Sequence, residues 1–126
     1  MKALDIDRGY LRDTLLSLLN IASPTGMTDS AVQFVCEELD SLGIDYEVTR
    51  RGAIRANLYG QTHTPDRAIA THLDTLGAMV KNLKSNGRLE VVPIGTWPSR
   101  SAEGSRVSLF NDKGETLRGT LVPKKA

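Results

Sequence analysis

The sequence predicts an α/β layer followed by an all-β segment, and three observations carry that expectation. Up to residue 74 the patterned runs come in the order helix, helix, strand, strand, strand, which is an α/β arrangement. Within that part, Ala68-Ile69-Ala70 is a short apolar run bounded by turn residues, the mark of a buried strand. From Thr75 onward the patterned runs are strand-like, and Gly-containing turn sequences join them into hairpins. A boundary is therefore expected near Thr75, giving a partial α/β domain over 1–74 and a partial all-β domain over 75–126.

Residues 7–19 predict the first helix. Leu11, Leu15, Leu18 and Leu19 share one face, while Arg8, Arg12 and Asp13 can face water. Asn20-Ile21-Ala22-Ser23-Pro24-Thr25-Gly26 ends it, because proline lacks a donor and biases Ser23 away from helix. A second helix is expected to start at Thr28 or Asp29, either of which can cap free amides. Val32, Val35, Cys36, Leu39 and Leu42 make its apolar face, and Gly43 stops it. The acidic residues Glu37, Glu38 and Asp40 read as its solvated side rather than as ligands.

Ile44, Tyr46 and Val48 then alternate with polar residues, Arg50-Arg51-Gly52 turns the chain, and Ile54, Ala56 and Leu58 alternate again. The loop 60–66 sets His63 beside Thr64 and Pro65, a polar setting that reads as a solvated histidine. The buried strand follows and ends at His72. Beyond it, residues 78–83 and 88–92 flank Lys84-Ser85-Asn86-Gly87, a strong hairpin signal. Residues 93–98 read as a loop stationing Trp97, and 106–110 with 115–122 make a hairpin around Asn111-Asp112-Lys113-Gly114. That acidic turn lacks the spaced ligands and distal glutamate of a calcium loop.

Composition excludes several functions. A length of 126 residues suits one ordinary domain, or one and a half small ones. A formal net charge of +1 gives no electrostatic footprint for nucleic acid. The lone Cys36 rules out an intramolecular disulfide framework and a cysteine-built zinc site. The N-terminus lacks the apolar core of a signal peptide, and no run approaches membrane-spanning length. A cytoplasmic protein is expected, with no nucleic-acid or membrane partner.

His72 and Asp74 are the candidate site. On an extended chain they point to the same side. A histidine and a carboxylate at the end of a buried strand are costly to desolvate without partners. A metal for the imidazole and a hydrogen bond for the carboxylate would satisfy both. On spacing alone the pair also reads as a satisfied core histidine beside a turn-forming aspartate, and that is the commoner case.

The wider sequence resembles the glutamyl aminopeptidase or tetrahedral-aminopeptidase family of dinuclear metallopeptidases. The resemblance rests on His72-Leu73-Asp74-Thr75-Leu76-Gly77, on Ser23-Pro24-Thr25-Gly26 after the first helix, and on Val92-Pro93-Ile94-Gly95-Thr96-Trp97 after the first hairpin of the β part. Arg50-Arg51-Gly52-Ala53-Ile54-Arg55-Ala56 and the run to Leu83 look most like the branch associated with the osmoprotectant N-acetylglutaminylglutamine amide. The resemblance implies the N-terminal part of a zinc-peptidase-like α/β sandwich, followed by part of a β-barrel-like insertion domain that drives dimerisation and higher assembly. It matches His72 to a metal-binding histidine and Asp74 to the catalytic-site aspartate that orients it. The chain departs from the pattern at Thr75, where many relatives carry an acidic residue, which weakens inference about substrate.

The resemblance further implies two divalent metals, zinc or else cobalt or manganese, in a complete and much longer parent. Peptides would be its substrates and a homo-oligomer its assembly. Catalytic zinc takes about three protein ligands plus a water position, and only His72 and Asp74 stand out here. These 126 residues alone are therefore expected to hold no metal stably and to be inactive. A non-catalytic assembly or binding module is the competing reading, based on the hairpins of the β part. A glycoside hydrolase would need two carboxylates flanking a sugar site, and no such pair stands out.

Overall fold

The computed structural model describes residues 5–62, 64 and 67–123. Helix α1 spans Arg8–Asn20, and the Asp7 carboxylate caps it by accepting from the Tyr10 amide at 3.0 Å. Helix α2 spans Asp29–Ser41. Thr28 occupies its N-cap position but its hydroxyl makes no cap bond, because its backbone is already helical at φ −106° and ψ −2°. Asp29 in the first turn instead supplies a negative charge where the helix dipole favours one. At the far end the Gly43 amide bonds to Asp40 O and the Ile44 amide to Leu39 O, the paired closure that a left-handed residue after a helix permits.

Among the described residues, six strands follow as three antiparallel pairs: β1 (Tyr46–Val48) with β2 (Ile54–Ala56), β3 (Gly77–Leu83) with β4 (Leu89–Ile94), and β5 (Arg106–Phe110) with β6 (Thr116–Thr120). The three hairpins share one turn. In each, the residue opening a five-residue loop bonds through N–H to the carbonyl of the fifth, and the fourth is a glycine donating back to the first. The spans are Thr49 to Ala53, Lys84 to Arg88 and Asn111 to Glu115. Gly52, Gly87 and Gly114 have φ between 76° and 81°, the left-handed position such loops demand. In the first and third loops, Thr49 Oγ1 and Asn111 Oδ1 also accept from the fifth residue's amide at 3.1 and 2.9 Å. All three turns lie where the sequence puts them.

Three expectations need correction. The run 68–70 forms no strand, and Ile69 is 98% exposed. Its apolar composition favours burial, yet a strand also needs a neighbour to complete a ladder, and no described residue pairs with it. Pro93 and Ile94 belong to β4 rather than to a loop, with Pro93 opposite Ala78. A proline is tolerated there because β4 has one partner strand, so its missing N–H interrupts no second ladder. Ser99–Ala102 forms a single 3-10 turn in the part expected to be wholly β.

The chain divides into two units, Met1–Gly95 and Thr96–Ala126. Among the described residues the only buried apolar side chain is Ala31, so the first unit has local structure with little core. Hydrogen bonds between elements supply some order: Tyr10 Oη donates to Glu38 at 2.8 Å, and Tyr46 Oη to Asp40 at 3.2 Å. Desolvation, the Cys36 sulfur and the Asp40 charge push the Tyr46 phenol up to about 12. Stability from this phenol is therefore expected in full below its ordinary 10, and to be lost as pH rises through about 12. An ultraviolet titration, with Tyr46→Phe removing one late-ionising phenol, checks it. No helix among the described residues is long and apolar enough to cross a membrane.

Candidate functional site

The site is built where two distant segments meet. After α1 the chain is extended through Ser23, whose side chain is 1% exposed. Its Oγ donates to Leu73 O at 2.8 Å, and its carbonyl accepts from the Thr75 amide at 2.8 Å. Pro24 thus forms a parallel bridge with Thr75. The approach is close enough that a Cβ on Gly77 would lie 2.7 Å from Pro24 Cβ, so glycine is required there by space. Ser23-Pro24-Thr25 therefore grips the segment Leu73 to Gly77 at several points.

His72 and Asp74 sit on that gripped segment. His72 Nδ1 lies 3.2 Å from Asp74 Oδ1 and 3.0 Å from the Asp74 carbonyl oxygen. A carbonyl and an ionised carboxylate only accept, so Nδ1 is the donor in both contacts. Thr25 Oγ1 donates to the other carboxylate oxygen, Oδ2, at 2.8 Å. The Thr25 hydroxyl, then the His72 ring, hold the Asp74 carboxyl below its ordinary 3.8 despite partial desolvation. The His72 side chain is 80% exposed and that of Asp74 43%, so the imidazole presents its free edge to solvent.

The alternative of a satisfied core histidine does not describe this geometry. The donor set suits one imidazole ligand held by a carboxylate, an arrangement that fixes tautomer and orientation at metal sites. Among the described residues no three histidine, cysteine, aspartate or glutamate side chains converge on a cation position. Glu37 and Glu38 accept from Gln33 and Tyr10, and Asp40 from Tyr46, so the acidic residues of α2 serve structural bonds. His63 lies outside the described residues.

Sequence reasoning put the side chains of His72 and Asp74 on one side of the chain, and His72 Nδ1 lies 3.2 Å from Asp74 Oδ1. It read Ser23-Pro24-Thr25-Gly26 as a helix stop and missed its bonds to residues 73–75. Two small hydroxyl residues astride a proline were the available signal. Ser23→Ala is expected to cost about 1 kcal/mol by removing a donor from Leu73 O. Faster hydrogen exchange at the Thr75 amide, by about fivefold, is the readout.

Residues 52–126 match the family model described as M42 glutamyl aminopeptidase, which is more than half of the chain. The chain belongs to the M42 glutamyl aminopeptidase family. The matched M42 region begins at the turn glycine of the first hairpin and takes in His72, Asp74 and both later hairpins. Among relatives, the Bacillus subtilis protein YhfE, provisionally named an aminopeptidase, is 31% identical over 110 residues, 87% of this chain and 32% of that protein. The glutamyl aminopeptidase of Lactococcus lactis is 27% identical over 108 residues, 85% of this chain and 30% of its own. The lysyl aminopeptidase of Pyrococcus furiosus is 30% identical over 100 residues, 78% and 27% respectively. The chain thus spans about a third of the length of these curated relatives.

Proposed function

We propose that these residues are the N-terminal part of a metal-dependent aminopeptidase that removes N-terminal residues from peptides. The observation supporting this most is His72 held through Nδ1 by Asp74, on a side chain that is 80% exposed, in a chain of this family. His72 is the residue that would hold a divalent cation, and Asp74 would raise its basicity and fix its tautomer. When bound, a pair of such cations, zinc or else cobalt or manganese, supplies carbonyl polarisation and a water of lowered pKa. The residues of this chain orient one ligand; the remaining ligands and the general base belong to a chain of the relatives' length. In this proposal 1–74 is part of a zinc-peptidase-like α/β sandwich, and 75–126 part of a β-barrel-like domain that joins subunits of a cytoplasmic homo-oligomer. The 126 residues alone are inactive.

The test is a chain extended to the length of its relatives and loaded with zinc, cobalt or manganese. Peptides with a free N-terminus are expected to lose residues one at a time, acetylated peptides to resist, and a chelator to stop the reaction. Equal cleavage of blocked peptides, or indifference to the chelator, would overturn the reading.

A second reading, a non-catalytic assembly module, draws on the paired strands. Each described strand has one neighbour, so each presents an open edge. Met79, Leu83, Phe110 and Leu117 are exposed apolar side chains on such strands.

A further inference from the structure

We propose that Thr25 is a positioning residue for the His72–Asp74 pair: its hydroxyl fixes Asp74 Oδ2 and so presents Oδ1 to His72 Nδ1. The proposal rests on the reading of His72 as a ligand oriented by Asp74, and adds the residue that orients the orienter.

Three observations carry it. First, an aspartate side chain turns broadly about its last torsion, so a carboxylate held through one oxygen alone can swing away from its partner. Here both oxygens are engaged, Oδ2 by Thr25 Oγ1 at 2.8 Å and Oδ1 by His72 Nδ1 at 3.2 Å. The shorter bond is the one to Thr25.

Second, Thr25 is itself well placed to act as a fixed point. It follows Pro24, which is bridged to Thr75, and it opens a turn closed by the Met27 amide to Pro24 O at 2.8 Å. Gly26 in that turn has φ 93°, a conformation that sharply redirects the chain and leaves Thr25 facing residues 73–75. Third, Ser23 binds the same segment two residues earlier, through both its hydroxyl and its carbonyl. The two hydroxyls divide the work. Ser23 holds the backbone on which the pair sits, and Thr25 holds the carboxylate.

The consequence for His72 is a choice of tautomer. A carboxylate held in the plane that accepts from Nδ1 keeps the proton there and leaves Nε2 as the ligating nitrogen. A carboxylate free to rotate leaves the Asp74 carbonyl, 3.0 Å from Nδ1, as the remaining acceptor, and the preference for the Nδ1–H form weakens.

Long-range proton–nitrogen spectra of the imidazoles, taken on a metal-free chain of the relatives' length, read the tautomer directly. The His72 signal is the one that His72→Ala removes. The unchanged chain is expected to show mainly the Nδ1–H form. Thr25→Val should lower the share of that form, and Thr25→Ser should restore it. Asp74→Asn serves as the reference for loss of the carboxylate, the backbone carbonyl remaining. If Thr25→Val matches the unchanged chain while Asp74→Asn shifts the ring, Thr25 does not position the carboxylate. If Thr25→Ser behaves as Thr25→Val, the hydroxyl is not what matters, and the proposal is equally overturned. If Asp74→Asn changes nothing, the His72–Asp74 pair itself fails, which is a different result and strikes the underlying reading. Amide spectra check that each variant keeps the turn at residues 24–27; should valine disturb it, Thr25→Ala is read in its place.

Discussion

His72→Ala, made in a metal-loaded chain of the relatives' length, is expected to reduce peptide hydrolysis by more than about 100-fold, with loss of bound metal measured on the same sample. The size of the effect follows from ligand count. A catalytic zinc has about three protein ligands, and removing one leaves a site that neither retains nor orients the cation. Asp74→Ala should do less, about 10–100-fold in metal affinity or activity, because it removes the group that holds the ligand rather than the ligand. The order His72 then Asp74 is the informative outcome. A His72→Ala protein that keeps both its metal and its rate would remove His72 from the site and the proposed function with it.

The isolated 126-residue chain is expected to self-associate and to lack a sharp cooperative melt. Ala31 is the single buried apolar side chain among the described residues, while Leu11, Leu15 and Leu19 along α1 are all more than half exposed. Burial contributes about 25 cal/mol per Å² of apolar surface, and ordering the chain costs about 1–2 kcal/mol per residue. With so little buried, the net stability falls well short of the roughly 5–15 kcal/mol of ordinary domains. The helix face and the open strand edges are then available to other copies. Light scattering across a concentration series and calorimetry give the answer. A monomer at every concentration, melting sharply at high temperature, would contradict this account and leave the exposed leucines of α1 without a consequence.

What the sequence revealed and what it concealed divide by distance along the chain. The helices were legible to within a residue or two, because Asp7 and Gly43 act on backbone groups only a few residues away. The three glycine turns were legible for the same reason. The strand at 68–70 was not, since composition records a tendency to be buried but no partner. The grip of Ser23-Pro24-Thr25 on residues 73–75 was also invisible to periodicity: its bonds join residues 49 and 50 apart. The site was therefore half legible. His72 and Asp74 are close in sequence and met as expected, whereas Thr25 required the fold.

The same separation has a kinetic side. Each hairpin closes a loop of five residues, and such units form in about 1–10 μs once the chain is free to move. The Ser23–Leu73 bond must close a loop of 50 residues before it gains anything. Assembly of the His72 surroundings is thus expected to follow hairpin formation as a late event. Its rate would be sensitive to residues between the two segments that never touch the imidazole. Loop-closure entropy grows slowly, about 0.6 kcal/mol per doubling of length, so insertions near residues 60–62 should delay that step modestly and leave its end point unchanged. In refolding experiments the hairpins would then keep time with themselves, and the histidine with the length of the chain around it.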